Sequence, residues 1–322
     1  MKNLQLLTGA YRETNRPVNG IRSFCCTPLL SPTEYLNRAT DFYRALESPD
    51  VPTIRTNDVE TYYELHGDGP PIVFVHGAST DRRLWEPQKE ALSAEYEVIT
   101  YDVRGHGRTG PSDERRYSIE LFAADLRALV EGLDLGRPVI CGLSLGGMIA
   151  QTYAVRYADG LRALVLADTA VSSTFTLRDK ATVLLVPGWS MRATVRLLGP
   201  ARYVDVAYWL AECLRGREWF GRDESVRAYV RETMSSFEAD EFNEVFRAIY
   251  DFRRVDLAAI RVPTLVLNGE HESRSVFEHA AYMERTIPDV RSVVLPEAGH
   301  TSNMENPEAF TAELLAFLSH VE

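Results

Sequence analysis

Residues 138–149 read Pro-Val-Ile-Cys-Gly-Leu-Ser-Leu-Gly-Gly-Met-Ile. An apolar run, Val139 to Cys141, stops at Gly142, and a helix-like pattern begins at Leu145. Ser144 lies between them, with Gly142 and Gly146 two residues to either side. A strand that turns directly into a helix strains the backbone at the corner, and side chains at the flanking positions would collide with the neighbouring strand and helix. The Gly-x-Ser-x-Gly pattern therefore predicts an elbow that pushes Ser144 Oγ out at the carboxyl end of a sheet. It also sets the Leu145 N–H at a helix N-terminus, facing any oxyanion that develops there. The same pattern fits a serine in an ordinary Gly-rich turn; the strand before it and the helix after it favour the elbow.

Outward from this point, strand and helix signals alternate. Thr53 to Arg55 and Thr61 to Glu64 read as an opening hairpin, and short apolar strands follow at Ile72 to Val75 and Val98 to Tyr101. Phe122, Leu126, Leu129, Val130 and Leu133 make one helix face, with Ser118 near its start. Beyond the elbow come strands at Leu164 to Ala167, Thr264 to Leu267 and Arg291 to Leu295. A closing helix is marked by Phe310, Leu314, Phe317 and Leu318. This alternation predicts an α/β fold, a mostly parallel sheet with helices on both faces, which binds ligands beyond the strand carboxyl ends. Roughly ninety residues separate Asp168 from Val262, far more than an ordinary connection. Helical patterns at Ala193 to Leu198, Ala207 to Leu214, Val226 to Met234 and Phe242 to Phe252 predict an inserted helical cap over 171–258. The core then comprises 51–170 and 259–322. Residues 1–50 form an N-terminal extension whose Ser31-Pro32-Thr33-Glu34 capping box opens an amphipathic helix, docked on the main body or on a second subunit.

Composition narrows the function classes. The chain has 322 residues, 45% of them hydrophobic, and no run of ~18 apolar residues, so no membrane span is expected. The first residues lack the apolar core of a signal peptide, which makes a cytoplasmic location the expectation. Four cysteines, two of them the adjacent Cys25 and Cys26, do not make a disulfide framework; Cys141 reads as core packing and Cys213 lies in a helical region. The seven histidines show no metal-ligand spacing, and neither a metal nor a cofactor is expected. A net charge of −11 argues against nucleic acid as a partner. Lysine occurs only at Lys2, Lys89 and Lys180, which bears on solvation rather than chemistry.

A serine hydroxyl becomes a nucleophile only when a base takes its proton. His300, in the loop just past the last strand, is the candidate base; His76 falls too early in the chain, and His106 in its Gly-His-Gly turn reads as structural. The imidazole needs a carboxylate on its other nitrogen. In the order serine, acid, histidine, Glu272 in the turn after Leu267 is the first choice, Asp168 the alternative acid and Glu270 the third. The oxyanion hole needs two donors: the Leu145 N–H, and one from His76-Gly77-Ala78-Ser79, assigned to Ala78 with Ser79 second.

Four stretches together carry a family resemblance: His76-Gly77, Asp102-Val103-Arg104-Gly105-His106-Gly107, Gly142-Leu143-Ser144-Leu145-Gly146-Gly147-Met148 and Gly299-His300. The chain resembles a capped α/β-hydrolase over roughly residues 53–320, and within that fold the enol-lactonase, non-haem haloperoxidase (perhydrolase) and carboxylesterase group. The resemblance implies Ser144 as nucleophile, His300 as base and an acid at the position of Glu272, where the family usually has aspartate. It also commonly has serine where Thr109 stands. Asp102 and Arg104 read as loop-tying residues rather than catalytic ones.

These readings converge on a serine hydrolase of a small hydrophobic ester or lactone, with no membrane or nucleic acid as partner. A homodimer through the N-terminal extension is the alternative to a monomer. Perhydrolase chemistry, C–C bond hydrolysis and a non-catalytic small-molecule receptor are the competing functions. The cap aromatics Trp189, Tyr203, Tyr208, Trp209, Trp219 and Phe220, with Met191, are candidates for an apolar cleft. Arg192 or Arg196 would greet a carboxylate if the substrate carried one.

Overall fold

A computed structural model describes residues 52–114, 116–215 and 223–321. The helix expected after Ser31, the dimer contact assigned to it, Cys25, Cys26, Trp219 and Phe220 lie outside the described residues.

Eight strands form one sheet: β1 (Thr53–Thr56), β2 (Val59–His66), β3 (Pro71–Val75), β4 (Glu97–Tyr101), β5 (Val139–Leu143), β6 (Ala163–Ala167), β7 (Thr264–Gly269) and β8 (Val290–Leu295), in the order β1-β2-β4-β3-β5-β6-β7-β8. β1 and β2 are antiparallel at one edge, and every pair from β4 to β8 is parallel. The central strands β5, β6 and β7 are buried at every position, which is why they read as continuous apolar runs without alternation.

The two sheet faces nevertheless take alternate residues. Val73, Val75, Ile140, Leu164 and Leu166 join one core cluster, whereas Ile72, Phe74, Cys141, Val165 and Leu267 join the other. The first face is covered by α2 (Ile119–Gly132) and α3 (Leu145–Arg156), through side chains such as Leu126 and Ile149, and by α9 (Arg274–Thr286) through Met283. The second is covered by Leu92 of α1 (Glu86–Leu92) and by Phe310 and Leu314 of α11 (Pro307–Leu318), with Trp85 and Phe310 rings 5.8 Å apart. Local chemistry sets the helix starts. Ser118 accepts from the Leu121 N–H at the start of α2, and Asn306 accepts from Ala309 N with Pro307 at the first turn of α11.

Between β6 and β7 lie α4 (Leu177–Leu185), α5 (Gly188–Leu198), α6 (Pro200–Arg215), α7 (Glu224–Ser235) and α8 (Ala239–Asp251). Met191, Val195, Val204, Val230 and Phe242 give this insertion a small apolar cluster of its own. α4 buries none of its residues, so it has no apolar stripe on a core, and the sequence reading passed over it. A short α10 (Ser302–Glu305) follows the last strand. The parallel register brings the carboxyl ends together: Leu143 pairs with Ala167, and Gly269 with Leu295. The loops after β3, β5, β6, β7 and β8 therefore open on the same edge.

Candidate active site

Ser144 is the single residue between β5 and α3, with φ 54° and ψ −112°, a left-handed φ that only a tightly determined turn imposes on a serine. Its own N–H is held by the Ala167 carbonyl at 2.9 Å, and its carbonyl accepts from Thr169 Oγ1 at 2.6 Å. A Cβ at Gly142 would lie 2.2 Å from the Gly146 carbonyl oxygen, so strand and helix can fold back on each other only with glycine there.

His300 and Glu272 meet the serine in series. Ser144 Oγ lies 3.0 Å from His300 Nε2, and His300 Nδ1 donates to Glu272 Oε1 in a short hydrogen bond. The carboxylate on Nδ1 fixes the tautomer of the neutral ring in which Nε2 is the acceptor for the serine proton. The Glu272 side chain is fully buried, and its second oxygen accepts from the Ser273 N–H at 2.6 Å. Burial alone would depress the imidazole. The Glu272 charge and hydrogen bond, with Asp168 and Glu305 behind them, override it and push His300 up to about 9.

Asp168 stands beside this series without joining it. It follows β6 with φ 45°; one carboxylate oxygen accepts from the Gly269 N–H at 2.9 Å and the other from the Ser302 hydroxyl at 2.5 Å. Burial, then the nearby Glu272 charge, raise its carboxyl well above the usual range. Asp168 thus braces the turn that carries Glu272 against the segment just past His300. Glu270 is exposed and accepts from the Glu297 N–H at 3.1 Å.

Two bracing residues escaped the sequence reading. Glu305 accepts from the Gly299 and Thr301 N–H groups at 2.8 and 3.1 Å and from Thr301 Oγ1 at 2.7 Å, gripping the His300 loop on both sides. Ser302 is the partner of Asp168. The only sequence signal for Glu305 is its four-residue spacing from Thr301, an ordinary spacing within any helix.

The loop after β3 completes the far side of the serine. A Cβ at Gly77 would meet Ser144 Cβ at 3.6 Å, so this loop passes directly against the elbow. Two buried histidines hold it. His76 Nε2 accepts from Val103 N at 2.9 Å, its Nδ1–H donates to the Gly77 carbonyl at 2.8 Å, and His106 Nε2 accepts from Ser79 N at 3.2 Å. The Ser79 N–H is therefore spent on His106 and is not the second-choice oxyanion donor the sequence suggested. The Ala78 and Leu145 N–H groups take no backbone partner among the described residues.

Burial, with the neighbouring His76 adding to it, drops His106 to about 3, and burial also lowers His76. A histidine whose folded value lies below its unfolded one stabilises the fold fully above about 6.5, and loses that contribution as the pH falls toward the folded value. The unfolding free energy is accordingly expected to drop between about pH 6 and pH 4, each such histidine adding a slope of up to about 1.4 kcal/mol per pH unit. His106→Gln, compared with wild type by urea titration across this range, should show the shallower slope.

Asp102 and Arg104 tie loops together. Asp102 accepts from the Arg82 and Arg108 N–H groups at 2.9 and 2.7 Å; the buried Arg104 guanidinium bonds Asp125 twice at 2.7 Å and Asp58 at 2.7 Å.

Above Ser144 and His300 lies a cavity of about 290 Å³, lined by Met148, Ala170, Ile249 and Val276 and by a set of polar groups. These include Thr169, Ser172, Ser173, Ser273 and Ser275, with Asp168, Asp179 and His279. The lining differs from the apolar, aromatic cleft expected from the sequence. Met191 and Tyr203 pack inside the insertion, whereas Trp189 and Trp209 face outward; the Tyr208 side chain lies outside the described residues. Arg192 does not line the cavity, and Arg196 sits 3.3 Å from Asp240. Asp179 of α4 reaches the core at this cavity: it is 3.2 Å from His279 Nε2 and accepts from Ser275 Oγ. Its burial is outweighed by these hydrogen bonds and those from Thr176, which hold its carboxyl well below the usual range. For a metal, the donor atoms of Glu270, His271 and Glu297 lie within 4.8 Å of one another, an arrangement common among exposed carboxylates without an ion.

Comparison with known proteins places this geometry in a family. The alpha/beta hydrolase fold family matches residues 70–307. The chain is 25% identical to 3-oxoadipate enol-lactonase 1 of Acinetobacter baylyi over 79% of its own length and 91% of the relative's. It is 27% identical to a putative carbamate hydrolase, RutD, of Azorhizobium caulinodans over 84% of this chain and all of that one. Among solved structures, the enol-lactonase of Burkholderia xenovorans superposes with a TM-score of 0.72 at 28% identity, covering 84% of this chain and 100% of that one. A thermophilic esterase of Thermogutta terrifontis superposes with a TM-score of 0.71 at 30% identity, covering 83% and 97%. An elbow serine on a mostly parallel sheet, with the family match spanning most of the chain, makes this protein a hydrolase that belongs to the alpha/beta hydrolase fold family.

Proposed function

We propose that this chain hydrolyses a carboxylic ester or lactone through an acyl-serine intermediate at Ser144. The observation that carries the proposal is the continuous hydrogen-bonded series from Ser144 Oγ through His300 to Glu272. In the acylation step His300 Nε2 takes the Ser144 proton as Oγ attacks the carbonyl carbon, and the oxyanion forms against the Ala78 and Leu145 N–H groups. The imidazolium then gives its proton to the leaving alkoxide (in a lactone, the ring oxygen, which stays attached through the acyl chain). Water activated by the same nitrogen releases the acid and restores the serine. Glu272 holds the ring and stabilises its charged form; Asp168, Ser302 and Glu305 position the two loops.

The cavity volume sits at the lower edge of the common ligand range of about 300–1,000 Å³, which favours a compact substrate. Its hydroxyl-rich lining favours one that carries polar groups beside the scissile bond. We assign residues 171–258 as the cap that encloses this substrate. The printed names of the enol-lactonase and esterase relatives are consistent with the same bond class. A fluorophosphonate probe should label Ser144, identified by peptide mass spectrometry, and should leave Ser144→Ala unlabelled. A receptor that keeps the fold without the chemistry would resist labelling at Ser144 while still melting at a higher temperature with its ligand, and that result would overturn the proposal.

A further inference from the structure

Nine of the eleven large apolar side chains that stand exposed among the described residues fall between Leu177 and Trp209. Leu177, Leu184, Leu185 and Leu197 are each at least 80% exposed, Trp189 68% and Trp209 65%. On α4, at about 100° per residue, Leu177, Leu184 and Leu185 share one face, Arg178 and Lys180 flank it on either side, and Asp179 points the opposite way. Asp179 is the residue that grips Ser275 and His279 of the core. The leucine face is therefore turned outward by the helix's own anchor. α5 repeats the arrangement: Met191 and Val195 are buried, while Trp189, Arg196 and Leu197 are exposed.

Charge says what this face meets. Residues 177–202 contain Arg178, Lys180, Arg192, Arg196 and Arg202 against the single acid Asp179, in a chain whose net charge is −11. An isologous contact with a second copy would set these cations against themselves. Leucine and tryptophan facing out, with lysine and arginine at their flanks, is the composition of helices that lie in the headgroup plane of an anionic bilayer. We propose that α4 and α5 form a docking surface for an anionic lipid membrane, on which the protein rests peripherally beside its own active-site cavity. The expectation of no membrane partner came from the absence of a spanning segment, which does not bear on helices that lie on a surface. Among the described residues no helix is long and apolar enough to cross a bilayer.

Flotation of the full chain with vesicles of phosphatidylcholine, alone or mixed with phosphatidylglycerol, tests this. Wild type should partition about tenfold or more in favour of the anionic vesicles, and added salt should reduce the preference. Leu184→Glu/Leu185→Glu should lose about tenfold or more of that binding. Its melting temperature and its turnover of p-nitrophenyl butyrate should stay unchanged, because both side chains already stand in solvent. Lys180→Glu/Arg192→Glu, a second route to the same loss, should weaken binding to the anionic vesicles only. Failure of wild type to float, equal binding to both vesicles, or binding indifferent to the leucine substitutions would each overturn the proposal. So would a concentration-dependent dimer in sedimentation velocity that the leucine substitutions dissolve, since that would assign the face to a second copy.

Discussion

Ser144→Ala is expected to lower kcat/KM for p-nitrophenyl butyrate by at least about 10⁴-fold while leaving the fold intact, because among the hydroxyls that line the cavity Ser144 is the one bonded to His300 Nε2, and the remaining groups only polarise the carbonyl. Glu272→Gln is the more discriminating partner experiment. Free enzyme is competent only when His300 is neutral, so kcat/KM should rise with pH through the His300 midpoint, which the carboxylate holds near 9. At pH 7 only about one imidazole in a hundred would then be neutral. Removing the Glu272 charge lets the midpoint fall toward 6.5, which increases the neutral fraction at pH 7 even as orientation and transition-state stabilisation are lost. The deficit of Glu272→Gln should therefore be smaller at pH 7 than at pH 9, where wild type is half deprotonated, and it should reach about 10³–10⁴-fold at the alkaline end. A deficit that is the same at both pH values would show that Glu272 does not set the His300 charge. The stability counterpart has the opposite sense. Charged His300 contributes its full pairing below about 6.5, and that contribution disappears as the pH rises through the folded midpoint.

The elements that could be read from the chain are those whose local pattern has one physical solution. The β5–Ser144–α3 corner is such a case, since the glycine spacing leaves few backbone paths. The strands β3 to β7 are another, because burial on both faces demands continuous apolar runs. α9 and α4 were missed for the same reason. α9 buries only a few residues on the sheet, and α4 buries none, so neither shows a strong apolar stripe. The acid could not be settled from sequence because Asp168 and Glu272 both follow strand ends on the same sheet edge. In the structure Glu272 bonds His300 Nδ1, while Asp168 is occupied by Gly269 and Ser302. The oxyanion loop shows the same limit, because nothing in the sequence says that His106, 27 residues away, takes the Ser79 N–H. The cavity lining was the least legible part. Its polar side chains come from 168–173, 179 and 273–279, three segments with no common pattern, brought together only by the register of β6 and β7 and by the Asp179 anchor.

The largest effect on stability is expected from Gly146→Ala, a change of one methyl group. The added Cβ would lie 2.0 Å from the Val75 carbonyl oxygen, 2.7 Å from its carbon and 2.8 Å from the His76 carbonyl oxygen. All three are backbone atoms at the end of β3, the neighbour of β5 in the centre of the sheet, so relief requires α3 or β3 to move and the Ser144 corner to open. A cost above about 4 kcal/mol, a large part of the ~5–15 kcal/mol that holds an ordinary protein folded, follows from overpacking that no rotamer can relieve. Gly136→Ala supplies the contrast: φ is +61° there but nothing lies within 4 Å, so only the left-handed backbone is penalised and about 1–2 kcal/mol should be lost. Urea titrations of both variants would separate the two effects. If Gly146→Ala unfolds no more easily than Gly136→Ala, then α3 is free to back away from β3, and the strain at Ser144 is not held in place by the sheet.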